Sequence, residues 1–321
     1  MILPKVKLGV LLPTRGLLLG PTAPLNADGV IKLAQQVESS GLDSVWVGDS
    51  LTSKPRLDPL ATLAAVAART ERVGLGTAVL LGALYQPVLL ARVAATVDLL
   101  SKGRLTLAMG VGGAFTPDQQ QEWAHAGVPR TRRAGRLEEV AQIMRRLWIE
   151  EEVTYHGRHF NLDNVRLEPR PYRPEGVPIW LNCHYRTGSD AQLERVVRLA
   201  DGFIAITDQP PEYAKVVQRL RERAQEAGRN GDSLARAFYM TVNLNADPDQ
   251  AWREADAFIR AYYGVNFWAE TWGPFGRPEA VAQRMREYAE AGAQHLIVRF
   301  ASLDPLGQLE TFAKEVLPIF R

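Results

Sequence analysis

Short apolar runs alternate with longer amphipathic stretches along this chain, and the same junction returns between them. A helix pattern ends, a Gly or Asp turn follows, and a β-branched run begins. Ser39-Ser40-Gly41-Leu42-Asp43 leads into Ser44–Val47, Leu199-Ala200-Asp201-Gly202 into Phe203–Ile206, and Glu290-Ala291-Gly292-Ala293 into Gln294–Phe300. Runs of this kind predict eight strands: Lys5–Leu12, Ser44–Val47, Val73–Leu80, Arg104–Met109, Pro178–Asn182, Phe203–Ile206, Phe238–Leu244 and His295–Phe300. A helical pattern follows each: Asp28–Ser39, Pro59–Ala68, Pro87–Leu100, Gly135–Trp148, Asp190–Ala200, Pro211–Ala227, Gln250–Tyr262 and Leu306–Phe320. Strands and helices alternating at this spacing are parallel βαβ units, and eight of them predict an α/β fold, a (β/α)₈ TIM barrel.

The competing architecture is a doubly wound Rossmann sheet, which needs Gly-x-Gly-x-x-Gly after its first strand. Here Gly110-Val111-Gly112-Gly113-Ala114-Phe115 lacks the last glycine and follows the fourth strand, which favours the barrel. Residues 1–321 then read as one barrel domain with inserted loops around 114–134, 153–176 and 264–277. The first insertion carries a short helix near Gln119–His125, and the second reads as hairpin-like. The third is aromatic and glycine-rich. Long excursions from a compact fold are usually lids or interfaces.

Composition narrows the function classes. The chain has 321 residues, 46% of them hydrophobic, enough for a large core. A formal charge of +2 gives no field that would favour nucleic acid. No apolar run reaches the roughly 18 residues a membrane helix needs, and no signal peptide is evident. The single cysteine, Cys183, excludes an internal disulfide and a Cys-based zinc site, and fits a cytoplasmic protein. His156 and His159 have no evident carboxylate or cysteine partners, so no metal is expected.

Candidate chemistry lies at the C-terminal ends of the strands, where ligands bind in such folds. Asp49 and Ser50 follow the second strand as a carboxylate and hydroxyl facing a ligand, or as caps on loop N–H groups. Thr77, Ala78 and Val79 end the third strand, and on local sequence alone read as an ordinary strand end. Val111, Gly112 and Gly113 let backbone N–H groups approach a ligand closely. Asn182, Cys183, His184, Thr187, Gly188 and Ser189 follow the fifth strand and precede a helix, a pattern suited to phosphate or to a polar loop capped by Ser189. His184 is the best placed of the histidines. Trp148 and Trp252 on amphipathic helices, and Trp180 in a strand, read as core. Phe115, Trp123, Trp268 and Trp272 in the inserted loops could cover an aromatic cofactor or apolar substrate, or form a subunit interface.

Taken in order, these segments resemble the bacterial luciferase-like family of flavin-dependent oxidoreductases. The likeness is carried by Ser40–Asp49, by Val73–Val79 with Pro87, by Thr96–Arg104, and by Tyr155–Phe160 with Pro178-Ile179-Trp180. Leu199–Gly202 and Arg277–Gly292 continue it, so it spans nearly the whole chain. The resemblance implies a barrel binding FMN or the deazaflavin coenzyme F420 at the strand C-termini. It also implies a non-proline cis peptide near Ala78-Val79 backing the ring. Asp49, Ala78 and Val79 would flank that ring. The cofactor's phosphate would lie near Val111–Gly113 and the Thr187–Ser189 turn. Sugar-phosphate dehydrogenases of the deazaflavin type carry Asp-His after the second strand and Glu in the fourth-strand loop. Asp49-Ser50 and Gly113-Ala114 stand there in this chain.

The leading expectation is therefore a monooxygenase using reduced FMN, from a separate flavin reductase, and oxygen on a small organic substrate. Asp49, Ser50 and His184 would be its catalytic candidates, and the Trp268–Trp272 segment would exclude water. The alternatives are F420-dependent hydride transfer and a flavin-binding subunit without catalysis. A homo-oligomer is expected from the resemblance.

Overall fold

The computed structural model describes residues 5–19, 27–186, 190–266 and 272–321. Its eight parallel strands are β1 (Lys7–Leu11), β2 (Ser44–Val47), β3 (Gly74–Leu80), β4 (Leu105–Met109), β5 (Ile179–Asn182), β6 (Gly202–Ala205), β7 (Ala235–Leu244) and β8 (His295–Phe300). Each pairs with its sequence neighbours. β1 also pairs with β8, with Leu8 opposite Leu296, which closes the ring. Closure pairs each of the eight strands on both sides, and a two-residue strand, Phe275–Gly276, adds to the end of β7 at Asn243–Leu244.

Helices α1 (Asp28–Ser39), α2 (Pro59–Ala67), α3 (Pro87–Leu100), α4 (Pro117–His125), α5 (Arg133–Ile149), α6 (Asp190–Leu199), α7 (Pro210–Glu226), α8 (Pro248–Tyr263), α9 (Pro278–Glu290) and α10 (Pro305–Thr311) surround or extend the barrel. Most begin with proline, whose fixed φ suits the first helical position and whose missing N–H costs nothing there. Asp58 and Gln86 cap α2 and α3, accepting from Ala61 N and from Val88 and Leu89 N. The chain end departs from the continuous helix expected over Leu306–Phe320. After α10 it widens into a π-helical turn over Phe312–Val316 and tightens into a 3₁₀ turn over Leu317–Phe320. Pro318 cannot donate to an α-helical ladder there. The second insertion is an antiparallel hairpin, Val153–His156 with Asn161–Val165, as expected.

Two apolar layers follow from the period-two alternation of the strands. Outward residues such as Leu8, Leu75 and Leu107 pack under the helices. Inward residues Trp46, Ala78, Ala108, Trp180 and Ile297 fill the barrel. The Trp46 and Trp180 rings lie with centroids 5.4 Å apart. Trp46 fits because the flanking strands each leave a glycine under its ring: a Cβ on Gly76, its register partner on β3, would sit 2.2 Å from the ring, and one on Gly9 of β1 2.6 Å from its Nε1. Trp148 and Trp180 are buried as expected, but Trp252 is 48% exposed. The inner face of α8 is Ala251, Ala255, Phe258, Ile259 and Tyr262, and Trp252 lies one position off that stripe. Among the described residues no helix is long and apolar enough to cross a membrane.

Candidate active site

A cavity of about 650 Å³ opens at the C-terminal ends of the strands. Leu11, Ala78, Ile204 and Tyr239 belong both to the barrel interior and to the cavity lining, so the filled barrel is the cavity's floor. The Ala78–Val79 peptide bond is cis, and the β3–β4 register shifts between Ala78 and Leu80. Beside it, Gly110 has no room for a side chain. A Cβ there would lie 2.9 Å from Val79 Cγ2 and 3.3 Å from Asn182 Oδ1. The turn continues through Gly112, at φ +71°, where only glycine is at ease. Among the described residues, nothing accepts a hydrogen bond from the N–H groups of Val111, Gly112 or Gly113. Free N–H groups in a tight turn form an anion-binding concavity.

Asp49 enters the cavity from the loop after β2. Its Oδ2 accepts from Leu81 N at 2.9 Å and from the Tyr85 hydroxyl at 3.0 Å. Burial pushes the carboxyl up to about 6, although both hydrogen bonds and the Arg56 charge act against the shift. Ser50 also lines the cavity, but its hydroxyl is committed. It donates to Glu122 Oε1 at 2.6 Å and accepts from Lys54 N at 2.8 Å. Glu122 also accepts from Thr52 N and Ser53 N, and Lys54 pairs with Asp118 at 2.8 Å. The first insertion thus clamps the loop after β2 through the carboxylates of α4. The cap reading of Asp49 and Ser50 describes their bonds, while both still face the cavity.

Alternation within the strands separates the remaining candidates. Gly76 and Ala78 point inward, so Thr77 points toward the helices. It is fully buried, and its hydroxyl donates to Ala108 O at 2.8 Å. Asn182 and His184 line the cavity, but Cys183 between them belongs to the outer core. Burial raises the Cys183 thiol to about 12, which removes it as a nucleophile at neutral pH. The structure therefore corrects the assignment of Thr77 and Cys183 to the cofactor wall. His184 is enclosed, and desolvation pushes its imidazole down to about 4. Its Nδ1 has no hydrogen-bond partner among the described residues. Thr187, Gly188, Ser189 and Trp268 lie outside the described residues.

Two tryptophans expected to face a substrate are packed behind the wall instead. Trp123 is 1% exposed and donates from Nε1 to Gly113 O at 2.8 Å. A Cβ on Gly112 would strike its ring at 2.7 Å, so Trp123 supports the glycine turn from behind. Trp272 is buried against Tyr263 and Arg299, with ring centroids 5.5 Å apart and the guanidinium 4.6 Å from its own. Phe115 stands 84% exposed at the mouth.

Several cavity residues escaped the sequence reading. Arg133 lies in the basic run Arg130–Arg136, where nothing local sets it apart from a solvent-facing arginine, yet it lines the cavity and donates from Nε to Gly112 O at 3.3 Å. Arg56, Gln192, Tyr239, Tyr262 and Tyr263 also line it. Arg299, an arginine inside the apolar run His295–Phe300, was the one visible signal, since a charge within a buried strand demands a reason.

A closed parallel barrel with its cavity over the strand C-termini is the arrangement of a (β/α)₈ enzyme. Comparison with known proteins makes the class specific. The profile of the family described as luciferase-like monooxygenase matches residues 6–270, and the chain belongs to that family. It is a flavin- or deazaflavin-dependent oxidoreductase. It is 29% identical over 318 residues to an F420-dependent glucose-6-phosphate dehydrogenase of Kineococcus radiotolerans, covering 90% of this chain and 91% of that one. Identity to the corresponding protein of Amycolatopsis mediterranei is 26%, over 91% and 94% of the two chains. Among solved structures, an F420-dependent secondary alcohol dehydrogenase superposes with a TM-score of 0.80 at 20% identity, over 99% of both chains. A monooxygenase from Streptomyces bottropensis also gives 0.80, at 21% identity, over 98% of this chain and 100% of that one.

Proposed function

We propose that this protein catalyses hydride transfer between the deazaflavin coenzyme F420 and a small organic alcohol or carbonyl compound. This replaces the oxygen-dependent monooxygenase expected first from the sequence. The observation that carries the reading is the run of F420-dependent dehydrogenases among the relatives, aligned over about nine-tenths of both chains. The site suits such a ligand. A cavity of about 650 Å³ accommodates a tricyclic ring. The free N–H groups of the Val111–Gly113 turn, with Arg133 beside them, suit its phosphate.

When bound, the coenzyme supplies a two-electron acceptor or donor that exchanges hydride with carbon. The protein must then hold the substrate and move one proton. Asp49 is the group placed for the proton. Burial keeps its carboxyl near 6, so at neutral pH the carboxylate can take the proton of an alcohol as hydride leaves the adjacent carbon. In the reverse direction the acid form returns that proton to the carbonyl oxygen. Tyr85 and Leu81 N both donate to Oδ2, so Oδ1 has no donor among the described residues and is the oxygen available to a substrate proton. Ser50 holds the loop rather than reacting, since both its hydrogen-bonding functions are used. The substrate named for the relatives is not carried over, because Ser50 and Gly113-Ala114 stand where that type carries His and Glu.

The deciding experiment is a pair of binding titrations, F420 against reduced FMN, followed by turnover with and without oxygen. Tighter binding of F420 with oxygen-indifferent turnover is expected. Preference for reduced FMN with oxygen consumption would overturn the reading.

A further inference from the structure

The geometry points to a binding site for a negatively charged group of the substrate, a carboxylate or phosphate monoester. We place it on the side of the cavity mouth formed by β8, β1 and the loop after β2. The inference builds on the reading of the mouth as a chamber for cofactor and substrate together, and adds the substrate's chemical class.

The starting observation is a convergence of guanidinium groups. Arg15, Arg56 and Arg299 lie 5.2, 5.7 and 5.0 Å from the ring centroid of Tyr262, a cavity-lining residue. Among the described residues, none of the three has a carboxylate within ion-pair distance; Arg15 is held by the Tyr262 and Pro55 carbonyls, each at 3.1 Å, and adds charge rather than a free donor pair. Asp49 feels the Arg56 charge but forms no ion pair with it, and its Oδ2 accepts from Leu81 N and the Tyr85 hydroxyl; the other neighbouring acids are committed elsewhere. Asp118 holds Lys54, Glu122 holds the 50–53 loop, and Asp58 caps α2.

Arg299 is the most unusual of the set. It is 3% exposed, its Nε donates to Thr241 Oγ1 at 3.1 Å, and its Nη1 donates to the Tyr263 hydroxyl at 2.7 Å. Its Nη2 has no hydrogen-bond partner among the described residues. The rings of Tyr239, Tyr262, Tyr263 and Trp272 surround it. Ring faces stabilise a cation but do not cancel its charge. A buried charge is ordinarily paired, and one that is not leaves its field to act on the nearest open space. Tyr239, Tyr262 and Tyr263 are both part of that cage and part of the cavity wall.

Arg56 supplies the direct contact. It lines the cavity, and its Nη1 lies 2.4 Å from where a Cβ on Gly48 would be, a position open only because residue 48 is glycine. Its Nε is anchored on Lys54 O at 3.1 Å. The two terminal nitrogens have no acceptor among the described residues, which leaves a planar fork for two oxygens.

Topology separates this charge from the cofactor's own phosphate. β8 lies between β7 and β1, and β4 between β3 and β5, so in the ring of eight the two are diametrically opposed. The glycine turn and Arg133 stand after β4, and the arginine cluster stands between β8 and β2. An anionic cofactor tail at the first leaves the second for the substrate.

The test uses three probes that share a ring and differ in charge: benzoate, phenyl phosphate and benzyl alcohol. Each is titrated into F420-loaded protein, followed by coenzyme fluorescence, and into cofactor-free protein, followed by tryptophan fluorescence. We expect either anion to bind at least tenfold more tightly than the alcohol. The tighter anion identifies the group, carboxylate or phosphate. Arg56→Gln should weaken the anions at least tenfold, Arg56→Lys less, and neither should change F420 affinity. Arg299→Met should weaken the anions severalfold, and should it fail to fold, the Arg56 pair still decides. Equal binding of all three probes overturns the site. So does a loss in Arg56→Gln that falls on F420 rather than on the anions. If F420 does not bind while the anions still discriminate in cofactor-free protein, the hydride-transfer reading falls and the anion site stands.

Discussion

The two ends of the barrel treat their arginines in opposite ways. At the N-terminal end, guanidinium groups are saturated. Arg104 bonds to the Ser101, Val73, Ala67 and Thr70 carbonyls and to the Thr70 hydroxyl. Arg173 pairs with fully buried Asp98 at 2.6 Å, and Arg145 with Asp201 at the same distance. At the C-terminal end, Arg15 donates to Tyr262 O and Pro55 O, but around the same tyrosine Arg56 keeps both terminal nitrogens, and Arg299 its Nη2, without an acceptor among the described residues. The same contrast holds for packing. Two tryptophans fill the barrel below, and glycines with a cavity lie above. Satisfied polar groups make a rigid base, whereas unsatisfied ones raise the free energy until a ligand supplies the missing partner.

Substitutions at the two ends test that contrast. The largest effect is expected below, where Trp46→Ala would leave a void beside Gly9, Gly76 and Trp180. A loss of about 3–5 kcal/mol in urea unfolding is expected, and a loss under about 1 kcal/mol would deny the packed interior. Above, Asp49→Asn should lower turnover about 100-fold or more while the protein stays folded. The sign of its pH dependence follows from burial. The folded carboxyl lies near 6 against an ordinary 3.8, so folding favours the protonated form. Asp49 therefore lowers stability as pH rises from about 4 through about 6, and Asp49→Asn should gain most stability above that range. Turnover in the alcohol-oxidising direction should rise through pH 6 in the native protein, and that limb should vanish in Asp49→Asn. Asp208 is also pushed to about 6 by burial but lies outside the cavity, so Asp208→Asn should keep the limb.

The next pair compares the arginines directly. Arg104→Met should cost about 2–3 kcal/mol, since several buried carbonyls lose their donor. Arg56→Met should change stability by less than about 0.5 kcal/mol. Equal losses at the two positions would erase the contrast between the ends. A smaller effect is expected at Gly112→Ala, where a positive φ costs about 1 kcal/mol and the Cβ must displace the Trp123 ring. Its signature would be a lowered Tm with severalfold weaker cofactor binding, read in one fluorescence titration.

Much of the fold was legible along the chain because helices and strands follow local periodicity. Ser44–Val47, Asp28–Ser39, Pro87–Leu100 and His295–Phe300 fall at the expected bounds, because turn and cap residues mark their ends. Boundaries drifted where those marks were weak, as in β7, which begins at Ala235 rather than Phe238. The cis bond at Ala78–Val79 came only through family resemblance, since nothing in the local sequence announces it.

Local pattern along the chain was enough for the alternation of elements, the family, and which strand ends carry glycines and polar residues. Those features are local, set by side-chain period, backbone permissiveness and short motifs. Tertiary structure decided which face each side chain took and which partner it met. It turned Thr77 and Cys183 toward the helices, placed Trp123 behind the glycine turn, and tied Ser50 to Glu122 across 72 positions. It also brought Arg15, Arg56 and Arg299 around one tyrosine from three distant segments. Burial and pairing depend on neighbours remote in the chain, so the charge of a site becomes readable only when the barrel has closed.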